Sequence, residues 1–226
     1  MAGIPFMKIV FASIGVVAFA TVAQAQFLVR TVDAPGNGAV LNIDQAETLL
    51  ASQPSAGSGN FGVINFVGGG SDADFPGGAS FPGGLGGTDD FAMEALARII
   101  FNTPGTYVFQ VNSDDGFRLR RDVNPDGSGG TVSAEFIGPR GPLDTDSSAF
   151  IIPPATGGFV NFRLTYFEHI GGEEIEFSYS LNGGPQQLVG STGDLTVQPI
   201  PEPASFALLG IGLAAFAGRR KRLVAA

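Results

Sequence analysis

The stretch from Gln110 to Arg120 constrains the fold of this chain more than any other. It reads Gln-Val-Asn-Ser-Asp-Asp-Gly-Phe-Arg-Leu-Arg, and alternating apolar and polar residues lead into it from Tyr107 and out of it from Phe117. A period of two residues predicts a half-buried strand on each side. Adjacent acids followed by glycine are poor strand formers, and neighbouring like charges repel. Two interpretations follow: a turn that joins a β-hairpin, or a site where a proton, an arginine or a metal cation offsets the repulsion.

Two blocks of the sequence closely resemble the PA14 domain and have the order and spacing of that family. The first is Gly-Thr-Tyr-Val-Phe at 105–109 with Ser-Asp-Asp-Gly-Phe-Arg-Leu at 113–119. The second is Arg-Leu-Thr-Tyr-Phe-Glu at 163–168, Gly-Gly at 171–172 and Ile-Glu-Phe-Ser-Tyr-Ser at 175–180. The resemblance covers roughly residues 60–190. It implies an all-β fold, an antiparallel β-sandwich of barrel-like shape.

The resemblance also implies a role for Asp114 and Asp115. In the sugar-binding members of the family, a cis peptide bond joins the paired aspartates, which hold a Ca²⁺ ion that also contacts sugar hydroxyls. Carried over to this chain, Asp114 and Asp115 are the metal pair. Ca²⁺ takes about six to eight oxygen ligands, so two side chains alone do not complete the site. Members that lack sugar binding carry the pair as well, so it indicates the fold more firmly than carbohydrate binding.

Residues 1–25 have the pattern of an export signal. Lys8 precedes an apolar run from Ile9 to Val22, and Ala23-Gln24-Ala25 is a small-x-small cleavage site. The run has 14 residues, fewer than the ~20 that a membrane-spanning helix needs. We therefore expect an N-terminal signal helix that signal peptidase removes, so that the mature chain begins at Gln26.

Residues 201–226 resemble the PEP-CTERM sorting tail. An apolar stretch follows the initial tripeptide and precedes a basic cluster: Pro201, Glu202 and Pro203, then Ala204 to Ala217, then Arg219, Arg220, Lys221 and Arg222. The basic cluster favours the cytoplasmic side of the membrane. The apolar stretch is short and contains glycine, so we expect a short hydrophobic helix that inserts only transiently into the inner membrane. The resemblance implies cleavage by an exosortase and release to the cell surface or an exopolysaccharide matrix.

Residues 26–200 remain as a single predicted β domain between these two terminal helices. They contain seven arginines, no lysine and 20 acidic residues, a net charge of −13. Such a domain repels nucleic acid and anionic polymers, and it suits divalent cations and neutral carbohydrates better. The chain has no cysteine, so an exported domain must be stabilised by its core, with or without a metal ion.

Apolar periodicity predicts the elements of this domain. We expect strands at Phe27–Val29, 61–67, Phe91–Phe101, Phe159–Phe167 and Ile175–Leu181, with the last two paired as a hairpin. Phe91–Phe101 has the composition of a helix, but alternation of its apolar residues favours a strand. Residues 44–51 predict a short helix with Asp44 as its N-cap and Glu47 three residues later.

Three loops contain further candidate ligands. The glycine-rich loop at 68–90 is either a metal or ligand loop or a flexible surface loop. The loop with Asp122, Asn124 and Asp126 is either a plain hairpin loop or a source of ligands near the aspartate pair.

The third loop, at 168–174, contains Glu168, His169, Glu173 and Glu174. We interpret it as a solvated tip, because zinc sites use several His or Cys ligands and this chain has one His and no Cys. The resemblance places this loop near the ligand end of the fold, so we expect Glu168 and His169 to touch a sugar.

The sequence favours an exported cell-surface or extracellular-matrix binding module that binds carbohydrate or exopolysaccharide with the help of Ca²⁺. The alternative is a non-catalytic structural protein of the envelope or the exopolysaccharide matrix, with no specific ligand. Glycosidases need two acids roughly 5–9.5 Å apart across a cleft, and adjacent residues suit a metal better. The sequence contains no nucleophile elbow and no cofactor fingerprint, so we expect no enzymatic activity.

Overall fold

The computed structural model describes residues 26–34, 38–70, 73–153 and 158–200. The predicted signal helix at 1–25 and the predicted tail helix at 201–226 lie outside the described residues, as do Pro201, Glu202, Pro203, Arg219, Arg220, Lys221 and Arg222. Within the described residues, no helix combines the length and the apolar character needed to cross a membrane.

The described part of the chain contains one α-helix and thirteen strands. In chain order they are β1 (Phe27–Asp33), α1 (Ile43–Ser52), β2 (Gly57–Phe61), β3 (Asn65–Gly68), β4 (Phe91–Phe101), β5 (Gly105–Asp114), β6 (Phe117–Arg121), β7 (Thr131–Phe136), β8 (Leu143–Asp146), β9 (Phe150–Ile152), β10 (Phe159–Glu168), β11 (Glu173–Leu181), β12 (Gln187–Leu188) and β13 (Leu195–Gln198). The predicted strand at 61–67 is therefore two short strands, β2 and β3, separated by a bend at 62–63.

The strands form two antiparallel sheets. The seven-stranded sheet has the order β2-β1-β4-β10-β6-β7, and β13 also pairs with β4. The six-stranded sheet has the order β12-β11-β5-β8, with β3 on β11 and β9 on β5. The predicted all-β sandwich is confirmed. The two sheets remain separate, so the fold does not close into a barrel.

An aromatic core fills the space between the sheets. The largest fully buried side chains are three tyrosines and nine phenylalanines. Phe109 of β5 lies among Phe150, Phe162 and Phe177, with ring centroids 5.3, 5.0 and 5.5 Å away. Each such aromatic pair contributes about 0.5–1.5 kcal/mol beyond its buried area. The core thus supplies the stability that disulfide bonds supply in many small exported domains.

Strand β4 confirms the alternation rule over helix propensity. It has the predicted bounds, and its odd-numbered residues from Phe91 to Phe101 all lie in the core. It pairs with β1 and β13 along one edge and with β10 along the other. Two paired edges satisfy its backbone groups, which is how tertiary context overrides the intrinsic preference of this segment.

Helix α1 packs on the outer face of the seven-stranded sheet, against Val32, Ala92 and Phe167. Its N-cap is Asn42, whose Oδ1 accepts a hydrogen bond from the Gln45 backbone nitrogen at 2.9 Å. The prediction of Asp44 as N-cap is therefore wrong. Asn42 has the extended backbone conformation of a cap, whereas Asp44 already lies inside the first turn.

The predicted hairpin of 159–167 with 175–181 is wrong, because the chain crosses between the sheets there. The chain also crosses between the sheets at Asp114-Asp115-Gly116, so the hairpin-turn interpretation of that stretch, one of the two open alternatives, does not hold. β5 and β6 lie in different sheets, and so do β10 and β11. Strands that face each other across a core bury alternate residues just as paired strands do, and Phe162 of β10 meets Phe177 of β11 in this way, with ring centroids 6.0 Å apart. Periodicity alone therefore does not distinguish the two arrangements.

Candidate metal centre

Three carboxylates meet where the two crossings lie side by side. Asp114 ends β5, Asp115 follows it, and Glu168 ends β10. One carboxylate oxygen from each residue lies within 4.8 Å of the other two, and the described residues contain no second set of three His, Asp or Glu side chains with this property. The peptide bond between Asp114 and Asp115 is cis.

Asp115 joins the two crossings through its carboxylate. Its Oδ1 accepts a hydrogen bond from the Arg140 backbone nitrogen and its Oδ2 accepts one from the His169 backbone nitrogen, both at 2.8 Å. Burial raises the pKa of Asp115, while these two donors oppose that shift because they favour the charged form. Asp115 is thus a buried carboxylate that is already held in place by the backbone.

Glu168 is buried with much less support. Its Oε2 is 3.0 Å from the hydroxyl of Tyr166, which also contacts the carbonyl oxygen of Asp114. Its Oε1 is buried and has no hydrogen-bond partner. Burial, and then the negative charge of Asp115, raise the pKa of Glu168 from 4.5 to about 9. A proton or a cation is therefore needed to stabilise this group at neutral pH.

Asp114 is the outward-facing member of the group and is only partly buried. Burial, followed by the charges of Asp115 and Glu173, raises its pKa from 3.8 to about 6. Arg140 acts in the opposite direction. The guanidinium group of Arg140 donates to the Ser113 carbonyl and hydroxyl oxygens at 3.2 and 2.8 Å, and no ion pair links it to a carboxylate among the described residues. Sequence analysis missed Arg140, which lies in a distant loop.

The interpretation of residues 168–174 as a solvated tip is wrong for its acids. Glu168, Glu173 and Glu174 are all 0% exposed. A sugar contact by Glu168 would require exposed surface that this side chain lacks, so Glu168 belongs to the carboxylate group instead. The signal was present in the sequence, because 168 continues the inward series of residues 162, 164 and 166 on β10.

His169 lies at the rim of the site and is partly exposed. Its Nδ1 is 2.8 Å from Oδ1 of Asp90, whose backbone nitrogen donates to the His169 carbonyl. This pair connects the end of the glycine-rich loop to the second crossing. A sugar contact by His169 remains a prediction.

The structure does not bring Asp122, Asn124 and Asp126 to the aspartate pair. They follow the C-terminal end of β6 at Arg121. The N-terminal end of β6, at Phe117, is the end that lies next to Gly116 and the aspartate pair. Five residues of strand at about 3.3 Å each separate the two ends. Asp126 accepts hydrogen bonds from the backbone and hydroxyl of Ser128 at 2.9 and 2.6 Å. These residues form the plain loop of the β6–β7 hairpin, one of the two interpretations of the sequence.

A groove of about 380 Å³ lies beside α1, lined by residues that include Val40, Thr48 and Leu49. Its lining comes from α1 and from residues 34 and 38–40, away from the carboxylate group. We assign it no role.

The donor set fits a hard cation. All three converging side chains offer oxygen, which Ca²⁺ and Mg²⁺ prefer. The unpartnered Oε1 of Glu168 is a buried acceptor that lacks a donor, and a cation would satisfy it. Zinc sites usually contain His or Cys, and the group includes neither.

The comparison with solved structures gave several similar folds. The PA14 sugar-binding domain from an RTX adhesin has a TM-score of 0.53 and 16% identity, over 74% of this chain and 95% of that one. The PA14 domain of the antifreeze protein MpAFP has a TM-score of 0.56 and 16% identity, over 80% and 94%. The described residues have the PA14 fold. The comparison with curated proteins gave no match.

Another structure with a similar fold was determined with a ligand. The A domain of epithelial adhesin 6 from Candida glabrata, in complex with Galβ1-3GlcNAc, has a TM-score of 0.58 and 11% identity, over 80% of this chain and 89% of that one. Towards its C-terminus, the chain matches the model of the PEP-CTERM protein-sorting motif over residues 199–222. A PA14 fold is therefore combined with a sorting motif in one chain.

Proposed function

We propose that this protein is an exported carbohydrate-binding module whose Asp114, Asp115 and Glu168 hold a Ca²⁺ ion. The observation that carries the proposal is the convergence of these three carboxylates within 4.8 Å at a sandwich end. Ca²⁺ would neutralise their charge and provide a positive centre to which sugar hydroxyls bind. Asp115 is fixed by backbone donors, Glu168 supplies a buried oxygen without a partner, and Asp114 is the member that solvent reaches.

The carbohydrate part of the proposal is supported by similar structures and by charge. Solved PA14 folds include a domain described as sugar-binding and an adhesin domain in complex with a disaccharide. The net charge of −13 over residues 26–200 disfavours anionic polymers and leaves neutral sugars as the better ligand class. The module binds without catalysis.

The sorting motif supports export. We propose that signal peptidase removes residues 1–25, that the tail at 201–226 anchors the chain transiently in the inner membrane, and that an exosortase cleaves near Pro201-Glu202-Pro203. The mature domain, residues 26–200, then reaches the cell surface or the extracellular matrix.

Calorimetry and a glycan array test the binding function. We expect the purified full chain to release or absorb heat with Ca²⁺ and to retain neutral glycans only when Ca²⁺ is present. Asp114→Asn should weaken both the Ca²⁺ affinity of this site and the retention of glycans at least tenfold, because it removes one charged ligand. Asp126→Asn is the matched control, since it makes the same change in the loop at the far end of β6.

Each outcome decides a different part of the proposal. No Ca²⁺ heat together with a melting temperature that EDTA leaves unchanged would reject the metal. Ca²⁺ binding without glycan retention would favour the structural alternative, a matrix or envelope protein with no specific ligand. That alternative has its own support, because Asp115 already links its own crossing to the second crossing through His169 and to the β7–β8 loop through Arg140.

A further inference from the structure

The outer face of the six-stranded sheet carries a second group of polar side chains that the metal centre does not use. Asn112 of β5 is the register partner of Glu176 on β11 and of Asp144 on β8. Residues paired in this way project from the same face of a sheet. Glu174, two residues before Glu176, therefore projects from this face as well.

The glycine-rich loop at 68–90 covers this face around Asp74 and Phe75, and it buries two of the acids there. The backbone nitrogens of Asp74 and Phe75 donate to the two carboxylate oxygens of Glu176 at 3.2 and 2.9 Å. Glu174 and Glu176 are consequently 0% and 1% exposed. The loop also brings the side chain of Asp74 over the sheet.

One side-chain amide connects two of these carboxylates. Nδ2 of Asn112 donates to Oε1 of Glu174 at 2.8 Å and to Oδ2 of Asp74 at 3.1 Å. The two carboxylates, from β11 and from the covering loop, thus lie within two hydrogen-bond lengths of each other. Like charges at this separation repel unless a positive charge or a proton lies between them.

Two buried oxygens of this group have no partner. They are Oε2 of Glu174 and Oδ1 of Asn112, and Asn112 is only 7% exposed. A buried polar atom that is left unpaired destabilises the fold, so a ligand that pairs with it is favoured. Arg140 lies just before β8, the edge strand of this sheet. Its guanidinium group donates to the hydroxyl groups of Ser113 and Thr145 and to the Leu143 carbonyl rather than to these acids. Among the described residues, this group therefore contains more buried hydrogen-bond acceptors than donors that reach them.

The Asn112 amide can present an oxygen where its nitrogen now lies. Rotation of an amide by about 180° exchanges the two atoms, and the surrounding hydrogen bonds decide between the orientations. The exchanged oxygen would lie 2.8 and 3.1 Å from the oxygens of Glu174 and Asp74. Neighbouring ligands of a cation with metal–oxygen distances of about 2.3–2.6 Å are about 3 Å apart.

We propose that Asp74, Asn112 and Glu174 form a second site for a hard divalent cation, of which Ca²⁺ is the best match in size and ligand type. The amide oxygen takes the place of a third carboxylate, and water completes the shell. The ion attaches the covering loop to the six-stranded sheet. This site uses no ligand of the first one, so either can exist without the other.

Flow dialysis of the full chain with radioactive Ca²⁺ counts the ions directly. We expect two per chain in the wild type and one in Glu174→Gln, with a matching loss of one ion in Asp115→Asn, which belongs to the first site. Asp146→Asn is the matched control, because Asp146 lies on β8 of the same sheet but is bound to Gln110. It should keep two ions.

Other counts would overturn the second site. One ion in the wild type that Glu174→Gln retains would leave the first site alone, and two ions retained in Glu174→Gln would place the second ion elsewhere. If circular dichroism shows that Glu174→Gln does not fold, Asp74→Asn decides, since Asp74 lies in a loop. Two ions in that variant would overturn the proposal equally.

Discussion

At the scale of single residues, Asp115 and Glu168 show how surroundings change the role of a carboxylate. Asp115 accepts two backbone hydrogen bonds, which favour its charged form. Glu168 contacts one hydroxyl and has one unpartnered oxygen, and its pKa is raised to about 9. At pH 7 without metal, the side chain of Glu168 is therefore protonated and uncharged, as a glutamine side chain would be.

Two conservative substitutions should consequently have opposite effects. We expect Glu168→Gln to raise the free energy of unfolding without metal at pH 7 by on the order of 1–3 kcal/mol, because glutamine needs no proton to be neutral when it is buried. The same substitution should weaken Ca²⁺ binding at the first site at least tenfold. Asp115→Asn should cost about 1–3 kcal/mol even without metal, because the new NH₂ faces a backbone N–H donor. Urea unfolding in EDTA measures the first quantity and calorimetry measures the second. Equal destabilisation by both substitutions would contradict this distinction.

At the scale of elements, the crossing from β5 to β6 depends on the absence of a side chain at Gly116. A Cβ there would lie 2.5 Å from a ring carbon of Phe167 and 2.7 Å from the carbonyl oxygens of Phe136 and Gly138. Two of these three neighbours are backbone atoms, which cannot rotate away.

We therefore expect Gly116→Ala to destabilise the domain by about 1–3 kcal/mol, the usual cost of overpacking, and to displace the carboxylates beside it. Gly138→Ala is the control, because a Cβ at Gly138 meets nothing within 4 Å. Thermal melting compares the two variants. A Gly116→Ala protein as stable as Gly138→Ala would show that the crossing can adjust.

The sequence predicted the positions of several strands, but it did not predict that the chain crosses between the sheets. Alternation predicted the bounds of β4 and the presence of strands at β5 and β10, because burial of alternate residues is a local property. The sheet to which a strand belongs depends on pairing partners far away in the sequence. The resemblance identified Asp114 and Asp115, and the inward series on β10 contained a signal for the burial of Glu168 that the sequence prediction did not use. The position of Arg140 beside the aspartate pair became visible only in three dimensions.

At the scale of the whole molecule, the negative charge is unevenly compensated. On the outer face of the seven-stranded sheet, acids pair with arginines: Arg30 and Arg163 with Glu94, Arg118 with Asp44, Glu47 and Glu135, and Arg120 with Glu47. Among the described residues, no ion pair reaches Asp74, Asp114, Glu168, Glu173 or Glu174. Both proposed cation sites therefore contain acids without an ion pair, and their ionised forms attract divalent ions.

This distribution predicts an unusual dependence of stability on pH. The pKa values of Asp114, Glu174 and Glu168 are raised to about 6, 7 and 9, mainly by burial. The folded protein then binds protons more tightly than the unfolded chain, so without metal its stability decreases as pH rises from about 4 to 9. We expect the melting temperature in EDTA to fall by on the order of 5 °C or more between pH 5 and pH 9.

Saturating Ca²⁺ should reduce or reverse this slope, because a bound cation stabilises the charged carboxylates that high pH produces. Glu168→Gln should flatten the EDTA curve between about pH 5 and pH 9, because over this window the folded protein holds the Glu168 proton and the unfolded chain does not. Above about pH 7 the contributions of Asp114 and Glu174 have ended, so there the flattening is easiest to assign to Glu168. Scanning calorimetry over this range, with EDTA or Ca²⁺, makes the comparison. A melting temperature in EDTA that is constant or rises towards pH 9 would mean that these acids are already compensated without metal, and the electrostatic basis of both sites would be lost.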